Sequence, residues 1–416
     1  MEKTTLYFSG SNMKTWLTAI LLGVGSLLLF LAGIGNPPIA IYDEALYVNS
    51  GRALLAEGQD PSPYGPPLGK LLVAGSIRAL GDNSFGWRAG SAVFGALTLV
   101  GMFLFTKLLL DNHALGLTAA ALTFFNNFLF VLSRLAMMDI FLMTFALWGI
   151  LAFTAALKME RLTAPARRAL LFASGVLLGF SGACKWNAVD ELCVIAAIGA
   201  FLLIWSGRSK NPEMIQYGAN LREAGTAWFL VSFSALPLLA YSATFWPLCR
   251  MLHVPFTTSQ LLSMNVYIWR FHRAVVGNRA IAMAWYQWPL LSQPQRGLSY
   301  LVGNWYVMWA GLAAGLFCLR RFARSLPETL ILLLYAANLL QWAVTPQSLT
   351  YYYYYFPAAM FLGLAIPVAL HRLPAQLYGV RLSFVAVLPA ACIFAYCLAH
   401  MAHLDAPYDS ILGYWP

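Results

Sequence analysis

Apolar residues run along most of this chain in stretches too long for a strand. Eleven such runs stand out, at roughly 16–34, 87–106, 115–132, 137–157, 169–184, 188–206, 226–246, 301–319, 328–344, 352–370 and 382–400. At 1.5 Å per residue, about 20 apolar residues cross the roughly 30 Å hydrocarbon core of a bilayer as a helix. The pattern therefore predicts an all-α polytopic membrane protein with about 11 transmembrane helices. Two runs, 169–184 and 352–370, carry polar or aromatic interruptions, which sets a range of about ten to twelve. The first run has no small-x-small cleavage site before the next polar segment, so it reads as a retained span and not a signal peptide. Two polar segments are long, about 35–86 and 247–300, and rich in Pro, Trp, Tyr and Arg. The first of them predicts a short interfacial helix from Glu44 to Glu57. No repeat and no soluble domain is apparent, so residues 1–416 read as one transmembrane domain.

Composition agrees with this pattern. The chain is 60% hydrophobic and 10% charged, with a mean hydropathy of +0.67. A soluble core of this size cannot hide that much apolar surface. The net charge of +10 raises nucleic acid as a partner, but its distribution argues against one. With a cytoplasmic N-terminus, 15 of the 26 basic residues fall in short inner loops such as Arg320-Arg321-Phe-Ala-Arg324, which is the positive-inside bias. The six cysteines form no CxxC pair, lie mostly inside runs, and read as small hydrophobes. No Cys/His ligand spacing supports a metal site, although a divalent ion is left open.

Candidate chemistry collects at the ends of the runs on the outer face. Asp43 and Glu44 follow directly on the first run. Asp43 is placed either to cap the helix after it or to act as a general base. In Tyr64-Gly65-Pro66-Pro67-Leu68-Gly69-Lys70, Pro-Pro stiffens the chain, Gly69 permits a close approach, and Lys70 is an aimed cation or a snorkelling one. Gly86-Trp87-Arg88 opens the second run, where Arg88 is an interface anchor or a site residue. Ser133-Arg134 with Asp139, and Lys185-Trp186, sit in short outer turns. Charges at the bilayer centre cost about 2.5–3.5 kcal/mol on insertion scales, so these pair or serve a ligand. Arg134 and Lys185 reach one face on separate helices, which suits a phosphate whose lipid tail lies in the bilayer. Trp288, in Trp285-Tyr286-Gln287-Trp288-Pro289-Leu290, offers a ring to stack on a sugar or an interface anchor. Tyr353 belongs to the run Tyr351–Tyr355 before Phe356-Pro357, an aromatic belt some of whose rings must turn inward.

In their order and spacing these motifs resemble the protein O-mannosyltransferase family, within the GT-C class of lipid-linked sugar transferases. The resemblance rests on Asp43-Glu44, Pro66-Pro67-Leu68-Gly69-Lys70, Gly86-Trp87-Arg88, Ser133-Arg134 with Asp139, Lys185-Trp186, Trp288-Pro289-Leu290 and the Tyr-rich stretch ending in Pro357. It implies a GT-C fold with an outer-face active site, an inverting transfer from a polyprenyl phosphate sugar, and a catalytic Asp that carries over to Asp43. Two departures are Gly65, where the family usually has His, and no room for the lumenal β-trefoil insertion of eukaryotic members. Together they point to a bacterial-type enzyme in an inner membrane, with its site on the periplasmic face. The related aminoarabinose transferases share the Asp-Glu and Pro-Pro-Leu features.

Elementary chemistry is consistent with that resemblance. A lipid phosphate is already a good leaving group, so cations must stabilise growing phosphate charge and one carboxylate must take the acceptor proton. The expected set is Asp43 and Glu44 as catalytic carboxylates, with Arg134, Lys185 and Lys70 on the donor phosphate. The expected partners are membrane lipid, the lipid-linked donor, and a protein acceptor through Ser or Thr. The alternatives are a lipid or glycan acceptor, or a transporter of lipid-linked sugars. A transporter should show repeats and midplane charges.

Overall fold

The computed structural model describes residues 10–41, 43–61, 63–274, 282–290, 303–345, 350–373 and 380–401, with no strand among them. Arg279, in the second long polar segment, lies outside the described residues. The chain opens with α1 (Gly10–Leu31), then a paired α2 (Glu44–Ala56) and α3 (Pro67–Leu80). Next come α4 (Ser84–Leu110), α5 (His113–Phe124), α6 (Asn127–Leu132), α7 (Met138–Lys158), α8 (Ala164–Cys184) and α9 (Val189–Trp205). After α10 (Pro212–Ala224), three pieces follow end to end: α11 (Thr226–Phe233), α12 (Ala235–Ala243) and α13 (Phe245–Met251). The last elements are α14 (Thr258–Ala274), α15 (Trp305–Cys318), α16 (Leu326–Val344), α17 (Phe356–Leu370) and α18 (Val380–Met401).

Helix occupies every one of the eleven apolar runs, but not always as one element of crossing length. Among the described residues, seven stretches are long and apolar enough to cross a membrane: Met13–Leu31, Ser84–Leu110, Met138–Lys158, Trp186–Arg208, Thr226–Met251, Leu326–Val344 and Tyr352–Leu370. The protein is thus an integral membrane protein. The run 115–132 shows why hydropathy alone misjudges a span. It splits into α5 and α6 because the Asn126 side-chain oxygen Oδ1 accepts from the Phe128 N–H and caps a new helix. Asn304 then donates to the Phe125 carbonyl at 2.9 Å and the Ala390 carbonyl at 2.8 Å, tying down the break. The twelve residues of α5 extend only about 18 Å, well short of the bilayer core.

Lipid takes the place of an aqueous surface. α1 turns Leu17, Ile20, Leu21, Val24 and Leu28 outward, an unpaired apolar face that hydrocarbon covers at no cost. Inside, α4 packs on α7 and α7 on α8, while α17 packs between α15 and α16. Four of these helices define two ends. At one end α4, α7 and α17 begin and α16 finishes, with α2 and α3 laid against them. At the other end α4, α7 and α17 finish and α16 begins, beside Arg320 and Arg321. Gly69 sets how closely the α2–α3 pair docks. A Cβ there would fall 1.9 Å from the Met138 sulfur, so glycine lets α3 reach the start of α7 with the Met138 side chain where it is.

Candidate active site

Two buried polar networks meet where α2 lies against α4 and α7. The first is built on Glu44. Its carboxylate forms a two-pronged pair with Arg88, at 2.8 Å for both Nε–Oε1 and Nη2–Oε2. Glu44 also accepts from the Ala136 N–H at 2.9 Å and the Ile41 N–H at 3.1 Å. Arg88 spends its remaining donors on the carbonyls of Ile34, Pro37 and Ile39, at 2.8–3.0 Å. Both residues are 0% exposed. This network clamps the loop after α1 to the start of α4 and the turn before α7, and it leaves Glu44 no spare lone pair for substrate.

Asp43, one residue earlier, has a different environment. It stands at the N-cap position of α2 with φ −65° and ψ −9°, yet its side chain makes no capping bond. The capping role weighed from sequence is therefore absent. Instead Tyr353, from the turn before α17, donates its hydroxyl to Asp43 Oδ2. The residue keeps some accessible surface, but protein crowds its carboxylate. Burial is the largest effect and raises the Asp43 pKa above the ordinary carboxylate range. The Tyr353 hydrogen bond and the Lys185 charge oppose that rise, while Asp139 adds to it.

Asp139, Lys185 and three tyrosines complete the second network. Lys185 Nζ donates to Asp139 Oδ1 at 2.9 Å. The same ammonium lies 4.6 Å from the Tyr354 ring centroid and 5.5 Å from that of Tyr353, a cation–π cradle. Asp139 Oδ2 is buried with no partner among the described residues. Tyr47, one turn along α2 from Asp43, has its hydroxyl pKa pushed well above its usual value by burial, then by Asp43, Asp139 and Tyr354. It stays a neutral donor. His272 on α14 is driven toward the neutral imidazole, first by burial and then by the Lys185 charge. Its ring lies 6.1 Å from the Trp186 ring, so α14 forms a wall beside Lys185.

The remaining expected site residues are placed as follows. Arg134 makes no direct contact with Lys185 among the described residues. Its Nη1 donates to the carbonyls of Leu29, Phe30 and Ala32 at 2.7–3.2 Å. The reason is local: these carbonyls close α1 and lack intrahelical partners. Arg134 Nε and Nη2 have no hydrogen bond among the described residues. Lys70 is buried and paired with Asp60; burial lowers its pKa and Asp60 pulls the other way. Trp288 is 0% exposed, wedged 5.7 Å from the Trp342 ring and 6.2 Å from the Tyr355 ring. It backs the tyrosine turn and shows no face to a sugar. Tyr353 and Asp139 do join Asp43. Sequence reasoning missed Asp60, which carries no local signal, and placed His272 only among the polar residues of the second long segment, with no role. It also passed over Tyr47, whose i+4 spacing from Asp43 was legible, and Tyr354, whose neighbour alone was singled out.

Residues 79–253 match the family model described as dolichyl-phosphate-mannose-protein mannosyltransferase. That match spans α4 to α13 and includes Arg88, Arg134, Asp139 and Lys185. A polyprenol-phosphate-mannose–protein mannosyltransferase of Mycolicibacterium smegmatis is 27% identical over 264 residues, 56% of this chain and 49% of that protein. The chain is related to the protein O-mannosyltransferases. It aligns with about half the length of that curated relative. Its fold is the protein O-mannosyltransferase fold of the GT-C class. The S. cerevisiae Pmt1–Pmt2 complex bound to the sugar donor superimposes with a TM-score of 0.73 at 13% identity, covering 96% of this chain and 90% of that one. ArnT from Cupriavidus metallidurans bound to undecaprenyl phosphate gives 0.60 at 15% identity, covering 93% and 66%.

Proposed function

We propose that this protein transfers mannose from a polyprenyl phosphate to a Ser or Thr hydroxyl of a protein, at the outer face of a bacterial inner membrane. The observation that carries this reading is the Tyr353–Asp43 hydrogen bond. An uncharged hydroxyl donates to a carboxylate that has no structural task, and an acceptor hydroxyl must bind a general base in the same way. Asp43 takes the acceptor proton as the new glycosidic bond forms. The bond from the anomeric carbon to the phosphate oxygen breaks on the opposite face, and the lipid phosphate leaves with the electron pair.

Lys185 is the donor-phosphate ligand in this scheme. Its ammonium holds one carboxylate oxygen and keeps N–H donors in reserve. Arg134 adds its Nη2 edge, and Lys70 holds the α2–α3 turn through Asp60. Glu44 and Arg88 are positioning residues that fix the α2 start. The names of the matched mannosyltransferases support mannose and a protein acceptor. The likeness to ArnT keeps a lipid acceptor as the second outcome of the test. That test is a membrane assay with radiolabelled polyprenyl phosphate mannose, followed by separation of protein from lipid. Label in protein for the wild type and its loss in Asp43→Asn is the expected result. Label confined to lipid overturns the protein acceptor. Wild-type turnover in Asp43→Asn overturns the base.

A further inference from the structure

A polar cavity also lies away from Asp43. It has a volume of about 350 Å3 and lies at the opposite end of the helices, lined by Lys158, Tyr217, His371 and Arg372 together with Asp111 and Glu213. α7 joins the two places. It begins beside Asp139 and ends at Lys158, 21 residues later, a rise of about 30 Å. α4 and α17 end at the cavity as well, and α16 begins there. The cavity therefore opens at the level of lipid headgroups on the membrane surface opposite the candidate active site. Its volume falls within the roughly 300–1,000 Å3 of small-ligand sites.

Its lining carries charges of both signs. Lys158 Nζ donates to the Leu109 carbonyl at 2.6 Å, which uses one of three N–H groups. Arg372 is locked to Glu328 through Nε and Nη2, with Nη2 also donating to Ser325 Oγ at 2.7 Å. Its Nη1 has no hydrogen bond among the described residues. Arg321 stands 3.7 Å from the same Glu328 carboxylate, so one acid serves two guanidiniums. Asp111 and Glu213 face Lys158 across the cavity, and both are exposed. Basic residues at helix C-termini are ordinary partners for orphan carbonyls. That role explains where the cations are, but not why polar space remains between them and two exposed acids.

We propose that this cavity binds a zwitterionic phospholipid headgroup, with the phosphate at Lys158 and Arg372 and the ammonium at Asp111 and Glu213. Basic pockets between membrane helices at the cytoplasmic side are known phosphate-headgroup sites. The acids here select a headgroup that also carries a cation. The proposal does not depend on sugar transfer.

Native mass spectrometry of the detergent-purified full chain tests it, with phosphatidylethanolamine, phosphatidylglycerol and soluble O-phosphoethanolamine as probes. The wild type should retain phosphatidylethanolamine in preference to phosphatidylglycerol. Lys158→Gln should weaken that retention about tenfold or more, as loss of one charge-assisted hydrogen bond does, and Lys158→Arg should restore it. Glu213→Gln should move the preference toward phosphatidylglycerol; its lipid-free melting temperature shows whether it is folded. Equal retention by wild type and Lys158→Gln, or an unchanged lipid preference in folded Glu213→Gln, overturns the site. Saturation by soluble O-phosphoethanolamine at equal concentration overturns the lipid source.

Discussion

Asp43 and Glu44 are neighbours in the chain, and their surroundings could hardly differ more. Glu44 has every lone pair engaged, by Arg88 and by two backbone N–H groups. Asp43 has one tyrosine hydroxyl on Oδ2 and an elevated pKa. The Glu44 network holds backbone to backbone across α2, α4 and α7, which is the work of structure. The Asp43 network holds side chains to side chains around a carboxylate, an ammonium and four aromatic or carboxyl groups, which is the material of a reaction. Two adjacent acids are thus divided between scaffold and chemistry by what the rest of the chain brings to each.

The widest separation between them should appear in folding. Glu44→Ala leaves Arg88 buried and uncompensated, and breaking such a pair typically costs about 3–5 kcal/mol. The expected outcome is little folded protein in membranes, read by detergent extraction and size exclusion. A Glu44→Ala protein that folds normally and merely turns over slowly would erase the distinction. Asp43→Asn should do the reverse. Loss of a general base lowers turnover by about 10²–10⁴-fold, while the fold survives. The sign of the stability effect follows from the raised pKa. A carboxyl whose folded pKa lies above its unfolded one is favoured by folding at low pH, and loses that favour as pH rises through the folded value. Near neutral pH the ionised Asp43 is a cost that Asn removes, so the melting temperature should stay level or rise.

A smaller effect is expected at Lys185. Lys185→Ala should weaken donor binding by roughly 10- to 150-fold, the equivalent of about 1.5–3 kcal/mol for a hydrogen bond to a charged group. Equilibrium binding of polyprenyl phosphate, without acceptor, reads it directly. Unchanged affinity there would hand the phosphate to Arg134. The finest test is Tyr353→Phe. Its hydroxyl favours the ionised form of Asp43, so removing it raises the Asp43 pKa further. Because the base works only when deprotonated, the acidic limb of the rate profile should move to higher pH. A limb that stays in place means that Tyr353 does not touch the working carboxylate.

Much of the architecture was legible from the chain alone, because a bilayer imposes one strong rule on every span. The apolar runs locate helices throughout, and Pro66, Pro67 and Gly69 predict a stiff segment with a close approach, whose neighbour the structure identifies as Met138. The helix after Asp43 begins and ends within a residue of its predicted limits. Lengths were less secure, since a single Asn126 cap divides one apolar run into two short helices without changing its hydropathy.

The roles of the charged residues were not legible in that way. A local reading gives Asp43 and Glu44 the same standing, shows no partner for Arg134, and gives Trp288 the look of a sugar platform. Each is decided by a partner distant in sequence: Tyr353 for Asp43, 310 residues away; Arg88 for Glu44, 44 away; the end of α1 for Arg134, about a hundred away. Hydrophobicity is a property that residues carry with them, so the sequence by itself determined that the chain enters the membrane and where its polar segments emerge. The state of a buried charge depends on which groups surround it and how many of its hydrogen bonds they complete, and only the packing of α2, α4, α7 and the Tyr351–Tyr355 turn decided that.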